Sequence, residues 1–284
     1  MPECYFVTDL HGRVPRYQKL FDAVAREAPA AVFLGGDFLP PAWPGLDEPD
    51  RDFIRGFLGN RLLDLRRTLR SLYPRVFLIM GNDDPRAEEI AVGELAEEGI
   101  WEYIQGRKTT LGDIPVFGYA YVNPTPFRLK DWERYDVSRY VDPGAVSPEE
   151  GFRTVPVPER ETRYHTIQED LERLTKDEEL GRAIILFHAP PYQTKLDLSA
   201  LAGKTIDHVP LDRHLGSIAV RRFIETRRPF LTLHGHVHES ARLSGSWRDR
   251  IGATHCFSAA HDGPELALVR FNPGRLDLAV RSLV

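Results

Sequence analysis

Short apolar runs recur along the first 240 residues, and polar residues follow each of them. The runs are four or five residues long and rich in β-branched and aromatic side chains, which is typical of buried strands. They lie at 4–8, 31–34, 76–80, 183–187 and 229–233. Most of the segments between them carry apolar residues every three or four positions, which is helical spacing. This alternation of strands and helices predicts an α/β fold.

The spacing predicts helices over 15–28, 53–72, 85–98, 166–180 and 212–226. A proline-rich stretch at 40–49 predicts a loop, and Ile114–Tyr119 predicts one more strand. Beyond residue 240, short alternating runs predict an antiparallel meander at 253–258, 266–271 and 276–280. The sequence contains no internal repeat and no linker, so we expect a single domain over residues 1–284.

Residues 121–164 interrupt this pattern. Six prolines lie there among aromatic and basic residues, without clear periodicity. The segment is either a long surface excursion or a cap over the functional site that supplies aromatic and basic contacts.

Composition restricts the class of protein. The net charge of −5 and the isoelectric point near 6.1 argue against a nucleic-acid partner, although a local basic groove stays open. No apolar run is long enough to span a bilayer, so we expect no membrane partner. Cys4 and Cys256 lie far apart and form no CxxC motif, and no secretion signal precedes the first strand, so we expect a cytoplasmic protein without disulfides.

Residues that commonly bind metals, usually beside a glycine, follow five of the predicted strands. They are Asp9 and His11, Asp37, Asn82, His188, and His236 with His238. Taken singly, each is explained as a helix cap, a turn residue or a buried histidine with satisfied hydrogen bonds. Chance rarely places such a residue after each of five buried strands, and in α/β folds active residues lie at strand ends.

Three histidines crowd into five positions after the fifth run. Side chains alternate in an extended segment, so His236 and His238 are expected to point the same way, and His234 with them. This cluster alone fits a metal site and a solvated turn equally well. For His234 two interpretations stay open: a proton donor or supporting residue at the site, or a strand-end histidine with satisfied hydrogen bonds. His261 could also approach the site, but nothing in the spacing requires it.

In chain order the motifs are Asp9-Leu10-His11, Gly36-Asp37, Gly81-Asn82-Asp83-Asp84, His188 and Gly235-His236-Val237-His238. Over about residues 3–240 this order and its strand context resemble the calcineurin-like metallophosphoesterase superfamily. The resemblance implies a four-layer α-β-β-α sandwich, with two packed mixed β-sheets and a binuclear metal site at the strand ends.

The resemblance also implies a ligand set. One ion would be bound by Asp9, His11, Asp37 and His238, and the other by Asp37, Asn82, His188 and His236, so that Asp37 bridges two divalent ions. Oxygen and nitrogen ligands without thiolates suit manganese, which we expect, or iron, zinc or a mixed pair. The implied reaction is in-line attack of a metal-activated hydroxide on a small phosphoester substrate, for which a nucleotide is one candidate.

Two positions depart from the family pattern. Pro40 stands where the family's Gly-Asp-x-x-Asp has its second Asp, and we expect this to affect local support more than metal binding. Asp83 stands where many members have a histidine that contacts the phosphate or protonates the leaving group. A protonated Asp83, or His234, could act as the acid, whereas an ionised Asp83 would repel phosphate. Because a dianionic monoester would suffer more from that repulsion, we expect a phosphodiesterase. A phosphomonoesterase, a nuclease and a non-catalytic scaffold are the alternatives, and the complete ligand set argues against the last.

Overall fold

The computed structural model describes residues 3–40 and 52–284. Apart from Pro40, the loop predicted at 40–49 therefore lies outside the described residues. The strands in the described part are β1 (Cys4–Val7), β2 (Ala31–Gly35), β3 (Arg75–Ile79), β4 (Glu102–Tyr103), β5 (Lys108–Leu111), β6 (Ile114–Tyr119), β7 (Ile184–Phe187), β8 (Thr205–Ile206), β9 (Val209–Pro210), β10 (Leu231–His234), β11 (Arg248–Ile251), β12 (Thr254–Ser258), β13 (Ala267–Phe271) and β14 (Val280–Leu283).

Twelve of these strands form two mixed sheets of six, and β8 and β9 form a separate hairpin. The first sheet has the order β14-β13-β1-β2-β3-β4, and the second has the order β11-β12-β10-β7-β6-β5. In the first sheet β1, β2, β3 and β4 are parallel, and in the second β6, β7, β10 and β12 are parallel. The antiparallel strands lie toward the outer edges.

The two sheets pack face to face around one apolar core. Strand β2 contacts β7, and β3 contacts β6, so the parallel centres of the sheets lie against each other. Phe257 of the second sheet lies 6.3 Å from Phe271 of the first, measured between ring centroids, and both are buried. With helices completing the α/β arrangement, the predicted sandwich is confirmed.

The helices are α1 (Val14–Glu27), α2 (Asn60–Leu69), α3 (Glu89–Glu97), α4 (Glu159–Tyr164), α5 (Ile167–Leu174), α6 (Ile218–Arg227) and α7 (Ser240–Ser244). Short turns of other helix types cover Phe53–Gly59, Arg70–Leu72, Arg86–Glu88 and Leu276–Leu278. Among the residues the structure describes, no helix has both the length and the apolar character needed to cross a membrane.

Helix boundaries differ from the predicted ones where local hydrogen bonds decide them. The helix predicted at 53–72 is divided into a π-helical turn, α2 and a 3₁₀ turn. Helix α6 begins six residues later than predicted, at Ile218, because the Ser217 side chain accepts a hydrogen bond from Val220 N and caps it. Helix α5 ends early at Leu174, where the Thr175 hydroxyl donates to Leu171 O.

The predicted meander after residue 240 is wrong as a three-stranded unit, although β13 and β14 do pair in antiparallel. Strand β12 pairs in parallel with β10, whereas β13 crosses to the first sheet and lies between β1 and β14. Residues 276–278 form a 3₁₀ turn, and the strand follows it. Alternation identifies a strand but not its partner, because the partner depends on which sheet edge is free.

Candidate metal centre

Six of the seven predicted ligands supply donor atoms that converge in two groups. Within each group every donor atom lies no more than 4.8 Å from the others. The first group contains Asp9, His11, Asp37 and His238, and the second contains Asp37, His188 and His236. The seventh, Asn82, contacts the second group through its amide oxygen, 3.1 Å from His188 Nε2. Asp37 belongs to both groups.

The first group brings nitrogen and oxygen atoms of four side chains close together. The Nε2 atoms of His11 and His238 are 3.1 Å apart, and His238 Nε2 lies 3.2 Å from Asp9 Oδ1. The Nε2 atom of His11 is 4.0 Å from Asp37 Oδ2. Two imidazole nitrogens and two carboxylates at such distances suit a borderline divalent cation.

The second group is oriented by a backbone carbonyl. His188 Nδ1 lies 2.8 Å from Gly35 O and donates to it, so the neutral imidazole carries its lone pair on Nε2. Nε2 faces Asp37 Oδ2 at 3.2 Å and Asn82 Oδ1 at 3.1 Å. The ring of His236 lies 5.4 Å from that of His188. The tautomer that can bind a metal is therefore selected by the fold.

Several donors have an unusual backbone conformation. The φ angle is positive at Asp9 (54°), His11 (46°), Asp37 (50°) and His236 (73°). Non-glycine residues seldom adopt this region, and such residues cluster at functional sites, where the surrounding structure maintains the strain. The turns are held by hydrogen bonds between loops, since Asp9 N donates to Gly36 O at 3.0 Å and His11 N to Asp37 O at 2.8 Å.

Two glycines allow the loops to approach this closely. A Cβ atom at Gly81 would lie 2.2 Å from Asp37 Oδ1, and one at Gly235 would lie 2.7 Å from Asp9 Oδ2. Any side chain at these positions would collide with a candidate ligand. The glycines beside the strand ends thus have a steric role at the site.

The electrostatics of the site favour a cation. Burial raises the pKa of Asp9 and Asp37, but His238 beside Asp9 and His188 beside Asp37 outweigh it and hold both pKa values below the usual range. Burial lowers the pKa of His188, yet Asp37 outweighs it and raises this pKa to about 10. Burial lowers the pKa of His236 to about 4, so this imidazole is neutral, the form that binds metals. The buried carboxylates thus attract positive charge strongly.

Asp83 lies at the rim of the site. Its backbone N–H donates to Asp37 Oδ1 at 2.8 Å, and its Oδ2 lies 3.8 Å from His11 Nδ1. The side chain is 43% exposed, so a bound substrate could reach it. Burial of the inner part and the charge of Asp37 raise the pKa of Asp83 to about 7.

The structure gives Asp84 a role that the sequence motif alone did not indicate. This carboxylate is fully buried and accepts hydrogen bonds from Gly81 N at 2.8 Å and Leu39 N at 2.9 Å. Burial raises its pKa to about 8. Asp84 therefore connects the loop after β3 with the loop after β2.

The expectation that His234 points with His236 and His238 is wrong. Both ring nitrogens of His234 are engaged elsewhere, Nδ1 with Ala189 O and Nε2 with Thr232 Oγ1, each at 2.8 Å. The ring is fully buried and stacks on Phe187 at 5.6 Å. Alternation fails because the chain leaves the extended conformation at Gly235, and His236 has a positive φ. His234 is thus a strand-end histidine with satisfied hydrogen bonds. His261 pairs with Glu265, at 3.0 Å.

Comparison with protein families agrees with this geometry. The family model described as "Calcineurin-like phosphoesterase" matches residues 4–240. The chain belongs to this family. Members are metallophosphoesterases that typically bind two divalent metals, and the two donor groups of this chain fit such a pair, with oxygen and nitrogen donors converging on either side of Asp37. A sequence search of curated proteins finds no match.

Solved structures share the fold. The crystal structure of TT1561 from Thermus thermophilus has a TM-score of 0.55 and 16% identity, and the match covers 99% of this chain and 98% of that one. Another solved structure has a TM-score of 0.57 and 17% identity, over 100% of this chain and 99% of the other. A dimetal phosphatase from Danio rerio has a TM-score of 0.49 and 12% identity, over 94% and 91% of the two chains. At identities this low, the two matches with TM-scores above 0.5 show likeness of fold alone.

Proposed function

We propose that this calcineurin-like phosphoesterase is a phosphodiesterase that uses two divalent ions. The observation that carries the proposal is the position of Asp37, whose carboxylate belongs to both donor groups. Asp9, His11 and His238 would complete one ion's ligands, and Asn82, His188 and His236 the other's. Oxygen and nitrogen donors without thiolates suit manganese, which we expect, as well as iron, zinc or a mixed pair.

When bound, such a pair lowers the pKa of water and stabilises charge on the phosphoryl oxygens. The chain's own residues would hold such a pair. Asp37 would supply a carboxylate common to both ions, and the hydrogen bond from His188 Nδ1 to Gly35 O keeps Nε2 turned toward the site. The positive φ angles of Asp9 and His11 direct their side chains into the same small volume.

The preference for diesters rests on Asp83. Bound cations favour the ionised form of this carboxyl, so it presents a negative charge at the rim of the site. A monoester dianion carries one more negative charge than a diester monoanion. At about 4 Å and with solvent screening, that extra charge costs about 1 kcal/mol, which corresponds to roughly a five-fold difference in rate.

The test is hydrolysis of bis- and mono-nitrophenyl phosphate by the purified protein with Mn²⁺. We expect the diester to be favoured in the wild type, and Asp83→Asn to shift kcat/KM toward the monoester by roughly five-fold. Asp83→Glu, which retains the charge, is the matched control and should retain the preference. Asp83 Oδ1 also accepts a hydrogen bond from the candidate ligand Asn82 at 2.9 Å, so loss of diester hydrolysis in Asp83→Asn would make Asp83 the proton donor only if Mn²⁺ binding is unchanged.

His188→Ala tests the metal centre itself. This variant should lose most of the activity, because the second donor group then retains only Asp37, Asn82 and His236. If wild type and His188→Ala behave alike with both substrates, the proposed function is wrong.

A further inference from the structure

A buried carboxylate in segment 121–164 contacts the helical turn that follows the Asn82 loop. Asp131 Oδ2 accepts a hydrogen bond from Arg86 N at 2.8 Å, and Oδ1 accepts one from Thr154 N at 2.9 Å. The Thr154 hydroxyl in turn accepts from Ala87 N at 2.9 Å and donates to Asp131. The first N–H groups of a helical turn have no partner inside it, so these contacts satisfy them.

Asn82 lies between two such anchors. Gly81, the residue before Asn82, donates its N–H to Asp84, which also accepts a hydrogen bond from Leu39 N. On its C-terminal side, Asp131 holds Arg86 N, four residues after Asn82. Pro85 adds stiffness between the anchors, because its ring restricts φ. The position of the Asn82 amide oxygen therefore depends on both carboxylates.

A second carboxylate of the same segment, that of Asp136, binds the start of α6, which in turn contacts the loop after His188. Asp136 accepts hydrogen bonds from Ser217 Oγ at 2.5 Å, Ile218 N at 2.6 Å and Ala219 N at 3.1 Å, at the start of α6. Ser217 N donates to Pro190 O at 2.9 Å, two residues after His188. The backbone before α6 lies very close to the loop after His188, since a Cβ atom at Gly216 would lie 2.7 Å from the carbonyl carbon of Pro191.

Residues 131–136, here called the strap, are themselves held rigidly. Val122 N donates to Trp132 O at 2.9 Å, and Arg134 N donates to Val122 O at 3.0 Å, so the strap pairs with the chain leaving β6. The Trp132 side chain is buried. Arg134 pairs with Asp170 at 2.6 Å, and its guanidinium lies 4.0 Å from the Tyr121 ring centroid. Because these contacts hold the strap rigid, the distance between Asp131 and Asp136 is fixed.

We propose that the strap sets the spacing of Asn82 and His188, and that Asp131 and Asp136 are positioning residues for one of the two ions. The inference rests on the proposed function, because it concerns the group formed by Asp37, Asn82, His188 and His236. The first group is held differently, for example by Arg16, whose Nη1 donates to Asp9 O at 2.6 Å. Loss of a strap carboxylate should therefore affect one ion much more than the other.

The experiment is a Mn²⁺ titration by calorimetry on metal-free wild type, Asp131→Asn and Asp136→Asn. The wild type should bind two ions. Each variant should bind the first ion as the wild type does and the second about 10- to 100-fold more weakly, the usual effect of removing a group that orients a ligand. Excess Mn²⁺ should restore diester hydrolysis in both variants but not in His188→Ala.

Glu133→Gln is the matched control. Glu133 lies in the strap and is as buried as Asp131, but within the described part of the chain its carboxylate hydrogen-bonds to Thr125 and Lys130 and not to the Asn82 or His188 loops. It should lower the melting temperature and leave both Mn²⁺ affinities within about two-fold.

Three results would overturn the inference. In the first, Asp131→Asn and Asp136→Asn bind both ions with wild-type affinity, which leaves the proposed function standing. In the second, Glu133→Gln weakens the second ion as much as they do, so the strap acts only through overall stability. In the third, wild type binds no pair of Mn²⁺ ions, and the proposed function fails as well.

Discussion

His234 should make the protein less stable in mild acid, although it lies outside the donor groups. Burial lowers the pKa of its imidazole from 6.5 to about 4. In the unfolded chain the same group takes up a proton near its ordinary pKa. Between these two values the unfolded state binds more protons than the folded state, so the free energy of unfolding falls as the pH falls through this window.

The magnitude follows from the difference in pKa. A shift of this size lowers the free energy of unfolding by about 3 kcal/mol in total, once the imidazole is protonated in both the folded and the unfolded state. About 2 kcal/mol of this is lost between about pH 7 and about pH 5. That is a large part of the stability of a typical domain. The effect arises because a charged imidazole would have to be buried against Phe187.

The assay compares wild type, His234→Gln and His234→Phe by chemical denaturation across this pH range, with a chelator present. Both variants lose hydrogen bonds that the His234 ring makes, so both should be less stable than the wild type at neutral pH. Because neither replacement side chain takes up a proton, this difference in the free energy of unfolding should shrink by about 2 kcal/mol at about pH 5. All other titrating groups are common to the three proteins. Equal pH dependence in all three would refute the reasoning, and so would loss of Mn²⁺ binding in His234→Gln.

Two further predictions concern residues away from the site. Thr166 and Glu169 form a capping box at the start of α5. Thr166→Ala should therefore lower the free energy of unfolding by about 1 kcal/mol in chemical denaturation, whereas Thr166→Ser should not. Unequal diester hydrolysis by the two variants would contradict a purely local role. Burial raises the pKa of the Cys4 and Cys256 thiols to about 12, so neither should react with a thiol reagent until the protein is denatured; rapid labelling of the native protein would contradict this.

Much of the candidate site was accessible from the sequence because each residue follows a strand directly. Asp9, Asp37 and His188 lie within two residues of the ends of β1, β2 and β7. Strands β1 and β2 are parallel neighbours in the first sheet, and β7 of the second sheet packs against β2, so the ends of all three strands lie close together. Their role as metal ligands stays a prediction, as does the interpretation of 121–164 as a cap.

The direction of the His234 side chain was harder to predict from the sequence, because it depends on one backbone torsion. The strand pattern continues up to His234, and nothing local reveals that His236 adopts a positive φ. The close approach of Gly235 to Asp9, a residue 226 positions earlier, accompanies that turn. A contact of this range cannot be read from neighbouring residues.

Hydrophobic periodicity and the spacing of motif residues are properties of the chain itself, so the central strands, their polar ends and the family could be predicted from them. Three features needed the folded chain: the sheet that received β13, the direction of His234 toward the core, and the contacts of Asp131 with the turn after Asn82 and of Asp136 with the start of α6. Each of these depends on which distant backbone groups lack a partner. Such groups are identified only when the whole chain has packed.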